Sequence, residues 1–236
     1  MQLFHIKKNQ LVNEKWNANY WRPDYLLPIE EAKKIKFPLK TLGEVSDIQI
    51  GKSGKRYFIN VPEVRYITVG DVLSTGINFS NEPKWIKRGG FNDTPKSRIL
   101  ENDIMIVISG TIGKTSIAYD ITEDLNVSQD IALVRLQEAP LYSTFLFLQS
   151  KWGLAQIFRL ANGTGIYHLS TEELKRIIIP VFDEKFEEWC KNEMEIIKNL
   201  HRTALQTNNN KDWETVENRR IELLKQFHKK VPIRKK

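Results

Sequence analysis

Residues 103–118 read DIMIVISGTIGKTSIA, and this stretch decides what kind of fold the chain can form. The continuous apolar run over 104–108 is short and rich in β-branched residues, which is typical of a buried central strand. Gly110 and Gly113 follow closely, and glycines at such spacing favour a tight turn. The residues after the turn are β-like again. The stretch therefore predicts two strands joined by a tight turn inside a β-rich domain.

The end of this turn, Gly113-Lys114-Thr115, looks like the end of a phosphate-binding loop. Such a loop has the pattern G-x-x-x-x-G-K-[ST] and opens a helix, so that backbone amides surround the phosphates. Its first glycine would fall at position 108, where the sequence has Ile108. A strand rather than a helix is also expected next. A nucleotide hydrolase is therefore kept only as an alternative function.

The flanking segments extend the β-rich pattern and add helices. Strands are predicted over 44–50, 64–69 and 130–136, because β-rich or alternating runs lie there between turn residues. Residues 141–160 carry apolar side chains at helical spacing, with Gly153 as the predicted break. This part of the chain therefore combines strands with packed helices.

The C-terminal part is predicted to be mostly helical. Ser170 and Glu173 form a capping box that opens a short helix, and a buried strand follows that Pro180 ends. Residues 183–229 show apolar stripes at helical spacing, interrupted by TNNNKD, with Asp212 as the predicted N-cap of the second helix. We therefore predict an α+β protein: a β-rich domain with packed helices, followed by a C-terminal helix pair or coiled coil.

The composition limits the kinds of partner and the cellular compartment that we expect. The 236 residues carry a net charge of +7 and a single cysteine, Cys190, which cannot form a disulfide within the chain. The apolar runs are too short to span a bilayer and the start lacks a secretory pattern, so we expect a soluble cytoplasmic protein. The positive charge favours an anionic partner, although the last nine residues alone, HKKVPIRKK, hold five basic side chains.

Residue patterns for catalysis and for metal binding are weak. Asp24, followed by Glu31 and Lys33, imitates a nuclease signature, but this span is interrupted by prolines and predicted to be helical, not a strand pair that converges on a metal. The four histidines are scattered, without ligand spacing to one another or to Cys190. No glycine-rich dinucleotide loop is found. We therefore predict no catalytic residues, metal or cofactor, and keep a nuclease acting on DNA only as an alternative.

Basic and aromatic side chains concentrate in three loops, over 51–58, 84–98 and 162–168. Lysine and arginine bind phosphates, whereas arginine, asparagine and glutamine can read base edges. Each loop alone is also compatible with a solvated surface turn, but together they favour a nucleic-acid partner. The predicted DNA-binding residues, including one from the turn after the central strand, are Lys52, Lys55, Arg56, Tyr57, Lys84, Lys87, Arg88, Lys96, Lys114, Tyr167 and His168.

The order of motifs resembles that of the DNA specificity subunit of type I restriction-modification systems, in its form with a single target recognition domain. Single motifs are weak, but five in the same order are fairly specific, and the resemblance covers roughly residues 18–182. The motifs are LGEVSDIQIGKSG (42–54), RYITVGDVLSTGINF (65–79), ILENDIMIVISGTIGKTSIA (99–118), NVSQDIALVRL (126–136) and LQSKWGLAQIFRLANGTGIYHLSTEELKRIIIPVF (148–182).

The resemblance implies a subunit that recognises a double-stranded DNA sequence and has no active site of its own. It implies adenine methyltransferase subunits as partners, and a motor-nuclease restriction subunit that can join them. Because the chain has one such domain, we expect it to pair with itself or with another specificity chain. A dimer would read an inverted split site, since protein two-fold symmetry is mirrored in the DNA.

The implied organisation is an N-terminal arm, a target recognition domain, a helical spacer or dimerisation region and a basic tail, over 1–40, 41–182, 183–229 and 230–236. The acidic, apolar-striped helix at 184–206 is the candidate partner surface. The predicted partner or dimer residues are Phe186, Trp189, Ile197, Leu200, Trp213 and Leu224.

Overall fold

The computed structural model describes residues 18–53, 58–163 and 167–234 of the protein. Helices and strands are mixed along these ranges, so the predicted α+β class is confirmed. The α-helices found there are α1 (Pro23–Ala32), α2 (Leu42–Val45), α3 (Leu141–Gln149), α4 (Lys151–Leu160), α5 (Thr171–Lys175), α6 (Glu184–Thr207) and α7 (Asn210–Lys230). None of these helices has both the length and the apolar character that crossing a membrane requires.

The strands of the described ranges form four sheets. The principal sheet has the order β2-β11-β8-β9 and is antiparallel throughout. The second sheet has the order β10-β4-β7-β3, in which β10 and β4 are parallel. Two small sheets pair β1 with β12 and β5 with β6. The strands are β1 (Leu39–Thr41), β2 (Ser46–Ile50), β3 (Phe58–Ile59), β4 (Val64–Ile67), β5 (Val72–Leu73), β6 (Gly76–Ile77), β7 (Trp85–Ile86), β8 (Ile104–Val107), β9 (Thr115–Ile117), β10 (Leu125–Val127), β11 (Ile131–Leu136) and β12 (Ile178–Pro180).

Strand β8 lies inside the principal sheet, as the apolar run predicted. Successive side chains of a strand point to opposite faces. Ile104 and Ile106 accordingly pack into the larger core cluster, which includes the helices, whereas Met105 and Val107 pack into a second cluster against the other sheet. Both faces are covered, which explains why the run is apolar at every position instead of alternating.

The turn after β8 is built as the glycines predicted. Gly110 and Gly113 have φ angles of 75° and 84°, which side chains with a Cβ adopt only at a cost. The amide of Gly113 donates to the carbonyl of Val107 over 3.0 Å, and the chain then enters β9. The strand-turn-strand prediction is confirmed.

Gly153 is not the helix break that the sequence predicted. Helix α3 ends at Gln149, and Ser150 caps α4 by accepting from the amide of Trp152 over 3.2 Å. Gly153 lies inside α4, where a Cβ would come within 2.4 Å of the carbonyl oxygen of Phe147. The glycine is therefore required by the close approach of two backbones, and Ser150 makes the break.

The N-cap of α7 also differs from the prediction. Asn209 caps this helix, because its side chain accepts from the amide of Asp212 over 2.9 Å. Asp212 lies in the first turn instead, where its carboxylate accepts from the side chains of Asn209 and Thr207. The predicted capping box of Ser170 and Glu173 is confirmed at the start of α5.

Helices α6 and α7 form the predicted pair, and their contacts run antiparallel. Phe186, near the start of α6, lies 5.5 Å from Phe227 near the end of α7, measured between ring centroids. His201, late in α6, lies 5.2 Å from Trp213 near the start of α7. We call α6 and α7 together the helical hairpin.

The helical hairpin shares its core with the β-rich domain. Glu187 of α6 accepts hydrogen bonds of 2.8 Å from the amides of Tyr142 and Ser143, at the first turn of α3. Phe227 of α7 packs beside Trp152 of α4, with ring centroids 6.4 Å apart. The hairpin is therefore packed on the domain from which it extends.

The described parts of the predicted arm and tail also join this core. Tyr20 and Trp21 are buried in it, and Ile35 forms a bridge with Ile233 beside the buried Val231. The domain boundaries stay predictions, but packing crosses each of them.

Candidate nucleic-acid interface

Loop 84–98 is held in place by a buried carboxylate. Asp93 accepts from the guanidinium Nε of Arg98 over 2.9 Å, from the amide of Gly89 over 2.8 Å and from the side chain of Asn126 over 3.1 Å. The hydrogen bond with Arg98 keeps the pKa of Asp93 below its ordinary value, although burial opposes this. The loop is therefore preorganised by a charge that stays negative.

The lysines of this loop point their charge to solvent. Lys84, Lys87 and Lys96 are exposed, and within the described ranges none forms an ion pair. Arg88 differs, because its guanidinium pairs with Asp124 and donates to the carbonyl of Glu63. The three lysines are therefore available to phosphates, whereas Arg88 stabilises the loop.

A cleft of about 550 Å³ opens beside Lys84. Lys84 lines it and lies 3.4 Å from the hydroxyl of Thr68, another lining residue. Tyr66, which also lines the cleft, donates from its hydroxyl to the carbonyl of Lys52, whose ammonium group lies 4.3 Å above the ring of Phe91. The other lining residues are Ser53, Phe58, Val69, Gly70, Ser128, Gln129 and Asp130. We call this the Lys84 cleft.

Sequence reasoning missed one polar element of the Lys84 cleft. Gln129 and Asp130 are the two central residues of a tight turn between β10 and β11, closed by a 3.2 Å hydrogen bond from Ile131 to Ser128. Gln129 is exposed and Asp130 is half-buried. A polar pair between two buried strands marks this turn in the sequence, but neither residue is basic or aromatic, as the members of the predicted DNA-binding set are.

The structure does not bring Lys114 into the Lys84 cleft. Lys114 is half-buried and lines a different cleft of about 350 Å³, together with Trp213 and Glu217 of α7. Tyr167 is 42% exposed, and the backbone of His168 pairs with Asn162. Their DNA roles stay predictions.

Three predicted contacts, Lys55, Arg56 and Tyr57, lie outside the described residues.

The predicted partner residues mostly serve the chain's own packing. Ile197 is completely buried in the larger core cluster. The prediction that it faces a partner is therefore corrected, because in this structure its side chain packs inside its own chain. The other five are only half-buried, and they pack against the larger core cluster: Phe186, Trp189, Leu200, Trp213 and Leu224. The sequence correctly marked an apolar stripe but could not show that the chain's own core cluster covers it. The exposed apolar side chains of the hairpin are Ile196 and Ile221, at 45% and 40% exposure.

The turn over 110–113 uses two amides internally that a phosphate-binding loop would direct at its ligand. The amides of Ile112 and Gly113 donate to the carbonyls of Gly110 and Val107, so they are already satisfied. A strand follows, as expected.

The acidic and basic residues that imitated a nuclease signature do not converge either. Glu31 lies on helix α1, where it accepts from the indole of Trp152 and pairs with Lys151, while Lys33 pairs with Glu30. Among the residues that the structure describes, no group of histidine, cysteine, aspartate and glutamate could hold a metal ion.

The sequence profile of one family, described as the type I restriction modification DNA specificity domain, matches residues 34–218. No curated protein matches the chain.

Solved structures with a similar fold include the type IIG restriction endonuclease BpuSI, with 12% identity, coverage of 89% of this chain and 33% of that chain, and a TM-score of 0.55. A structure that describes assembly and conformational transition of the type I R-M system is 13% identical, with a TM-score of 0.52. The match covers 86% of this chain and 51% of that chain. The HsdS subunit from Thermoanaerobacter tengcongensis shows 14% identity, 86% and 50% coverage and a TM-score of 0.50.

At these identities the likeness to the solved structures is one of fold. The chain spans about half the length of the latter two structures. The family profile covers well over half of the chain. The chain therefore belongs to the family of type I restriction-modification DNA specificity domains.

Proposed function

We propose that this chain recognises a double-stranded DNA sequence and directs the methyltransferase and restriction subunits of a type I restriction-modification system to a split site. It does no chemistry itself in this role. The observation that carries the proposal is the match of the family profile over residues 34–218. In this proposal the exposed Lys84, Lys87 and Lys96 contact the DNA together with predicted residues such as Lys55.

The electrostatics of loop 84–98 support this proposal. Lys84, Lys87 and Lys96 are exposed on a loop that Asp93 holds in one arrangement. Exposed lysines on a fixed loop bind phosphates without losing an ion pair, and each phosphate neutralised releases counterions. DNA binding is therefore expected to weaken steeply as salt increases.

Methylation mapping tests the function directly. The chain would be co-expressed with a type I methyltransferase subunit from the same source, and methylated adenines would be mapped in the host DNA. We expect methylation at a split sequence that depends on this chain. The control is the methyltransferase expressed alone. Methylation of the same sites without the chain, or no methylated motif with it, would contradict the proposed function.

We also propose that two copies of the chain pair to recognise the two halves of the site. Ile196 and Ile221 expose apolar surface, one on each helix of the helical hairpin. Exposed apolar side chains favour association, because association removes them from water.

Light scattering tests the pairing. We expect a dimer in the micromolar range, alone or with the methyltransferase subunit, and dissociation in the double variant Ile196→Glu and Ile221→Glu. The matched control is the same pair of glutamates at the exposed Lys191 and Lys211 of these helices. A monomer under both conditions would rule out the pairing without touching DNA recognition.

A further inference from the structure

We infer that the turn of Gln129 and Asp130 reads base edges in the major groove of the bound duplex, while Lys84 holds the adjacent phosphate. This rests on the proposed function, and it assigns sequence reading to residues outside the basic set. All three side chains line the Lys84 cleft.

The turn is held firmly on both sides. The amide of Ser128 donates to the carbonyl of Ile67 in β4 over 2.9 Å, and the amide of Ile108 donates to the carbonyl of Asp130 over 2.9 Å. These bonds connect the turn to the second sheet and to the end of β8. Reading a base requires donors and acceptors at fixed positions, and side chains on such a support meet this requirement better than those on a free loop.

Within the part of the chain that the structure describes, the functional groups of this turn are unused. Neither the amide of Gln129 nor the carboxylate of Asp130 has a side-chain partner among the described residues. A glutamine amide offers a donor and an acceptor together and pairs with adenine at N6 and N7, whereas a carboxylate accepts from the N4 amino group of cytosine. Both groups match the edges that the major groove presents.

The charges in the cleft distinguish a base edge from a phosphate. Asp130 is half-buried, and its negative charge repels a phosphate at the position it occupies. Lys84 is exposed and attracts one. Apolar side chains, Phe58 and Val69, complete the lining and suit contact with a thymine methyl group. The cleft therefore fits the edge of a base pair with its phosphate beside Lys84.

Gly70 offers a way to fill the cleft without disturbing the protein. It lines the cleft, and a Cβ built on it meets no atom within 4 Å. Gly70→Leu therefore adds a side chain at the cleft lining without a clash at its Cβ.

The experiment measures the affinity of the full chain, in complex with its methyltransferase, for two duplexes. One carries the sequence that the methylation mapping identifies, and the other carries a scrambled sequence. Gln129→Ala is expected to weaken binding to the recognised sequence about 5- to 150-fold. Binding to the scrambled duplex should stay within about twofold, because non-specific binding depends on phosphates. Asp130→Ala should act in the same direction.

Two further variants check the other parts of the inference. Lys84→Ala should weaken binding to both duplexes alike and lower the salt dependence, whereas the exposed Lys191→Ala on α6 should change neither. Gly70→Leu should weaken binding to the recognised duplex while leaving the unfolding midpoint unchanged.

The matched control for Gln129→Ala is Gln137→Ala. Gln137 is exposed and follows the opposite end of β11, about 20 Å away along the strand. The inference is overturned if Gln129→Ala and Asp130→Ala bind the recognised sequence as wild type does, or lose binding to both duplexes equally. If the wild-type complex itself does not distinguish the two duplexes, the proposed function fails and the inference fails with it.

Discussion

Glycines in this chain serve two separate physical purposes. Gly110 and Gly113 are needed for their positive φ angles, which spacing in the sequence could suggest. Gly153 has no such angle and is needed because another helix approaches its backbone. The second purpose is not visible in the apolar spacing of residues 141–160, since it depends on how closely the end of α3 packs against the start of α4.

Gly153→Ala is expected to destabilise the protein by about 1–3 kcal/mol, because the new methyl group would overlap the backbone of Phe147 and Leu148. This exceeds the gain of about 1 kcal/mol or less from replacing a helical glycine by alanine. Urea unfolding would measure the difference. The control, Gly70→Ala, meets no atom and should change stability by no more than about 0.5 kcal/mol. Equal stability of the two variants would contradict the packing argument.

His201 is a buried polar link between the helical hairpin and the β-rich domain. Its Nδ1 lies 2.8 Å from the hydroxyl of Thr75, and its Nε2 lies 3.2 Å from the carbonyl of Ile77. The neutral ring fits if Nε2 carries the proton and donates to Ile77, while Nδ1 accepts from Thr75. Burial lowers the pKa of His201, since the charged ring is poorly solvated there.

Stability should therefore fall as pH decreases from 7 toward 5.5. The unfolded chain takes up a proton at His201 near its ordinary pKa of about 6.5, whereas the folded chain resists it, so protons favour unfolding. His201→Gln should reduce this dependence in urea unfolding measured across that range. Burial also lowers the pKa of His228, which accounts for part of the pH dependence that remains in this variant. An unchanged pH dependence in the variant would exclude His201 as a source.

At the scale of elements, the helical hairpin shows which structural features local sequence patterns predict. Its two helices and the break between them followed from apolar spacing and from the run of asparagines. The cap was misplaced, because both Asn209 and Asp212 are good capping residues and only the backbone geometry separates them. Asn208, at φ 48°, ends α6 and turns the chain.

Asn209→Ala should destabilise the protein by about 1 kcal/mol, since the amide of Asp212 loses its acceptor. The adjacent Asn210→Ala is the control. Asn210 is exposed at the first position of α7, where alanine is a better helix former. The urea midpoint should fall in Asn209→Ala and stay equal or rise in Asn210→Ala. The free energies of unfolding of the two variants should differ by about 1 kcal/mol. A loss from Asn210→Ala as large as that from Asn209→Ala would contradict this assignment of the cap.

At the scale of the whole molecule, one core cluster connects regions that the sequence divided. It includes Tyr20 of the predicted arm, Ile104 of the principal sheet, and Phe227 of the helical hairpin. A shared core makes the stability of each part depend on the others. The hairpin is therefore expected to unfold together with the β-rich domain.

Phe227→Ala tests this coupling, because Phe227 is completely buried beside Trp152, Phe182 and Phe186. We expect a loss of about 3–5 kcal/mol. Far-ultraviolet circular dichroism and tryptophan fluorescence should shift together in urea. The control is Ile221→Ala on the same helix, where the side chain is 40% exposed. Separate transitions for the two signals would show that the hairpin unfolds independently.

The sequence by itself determined the buried strand-turn-strand unit over 103–118, the helix pair and the family, because apolar periodicity, glycine spacing and motif order are local properties of the chain. Only the tertiary structure decided that Gln129 and Asp130 lie in one cleft with Lys84, that Lys114 lies in another, and that Ile197 is covered by its own chain. These outcomes depend on contacts between residues far apart in sequence, and such contacts are set by how the sheets and helices pack.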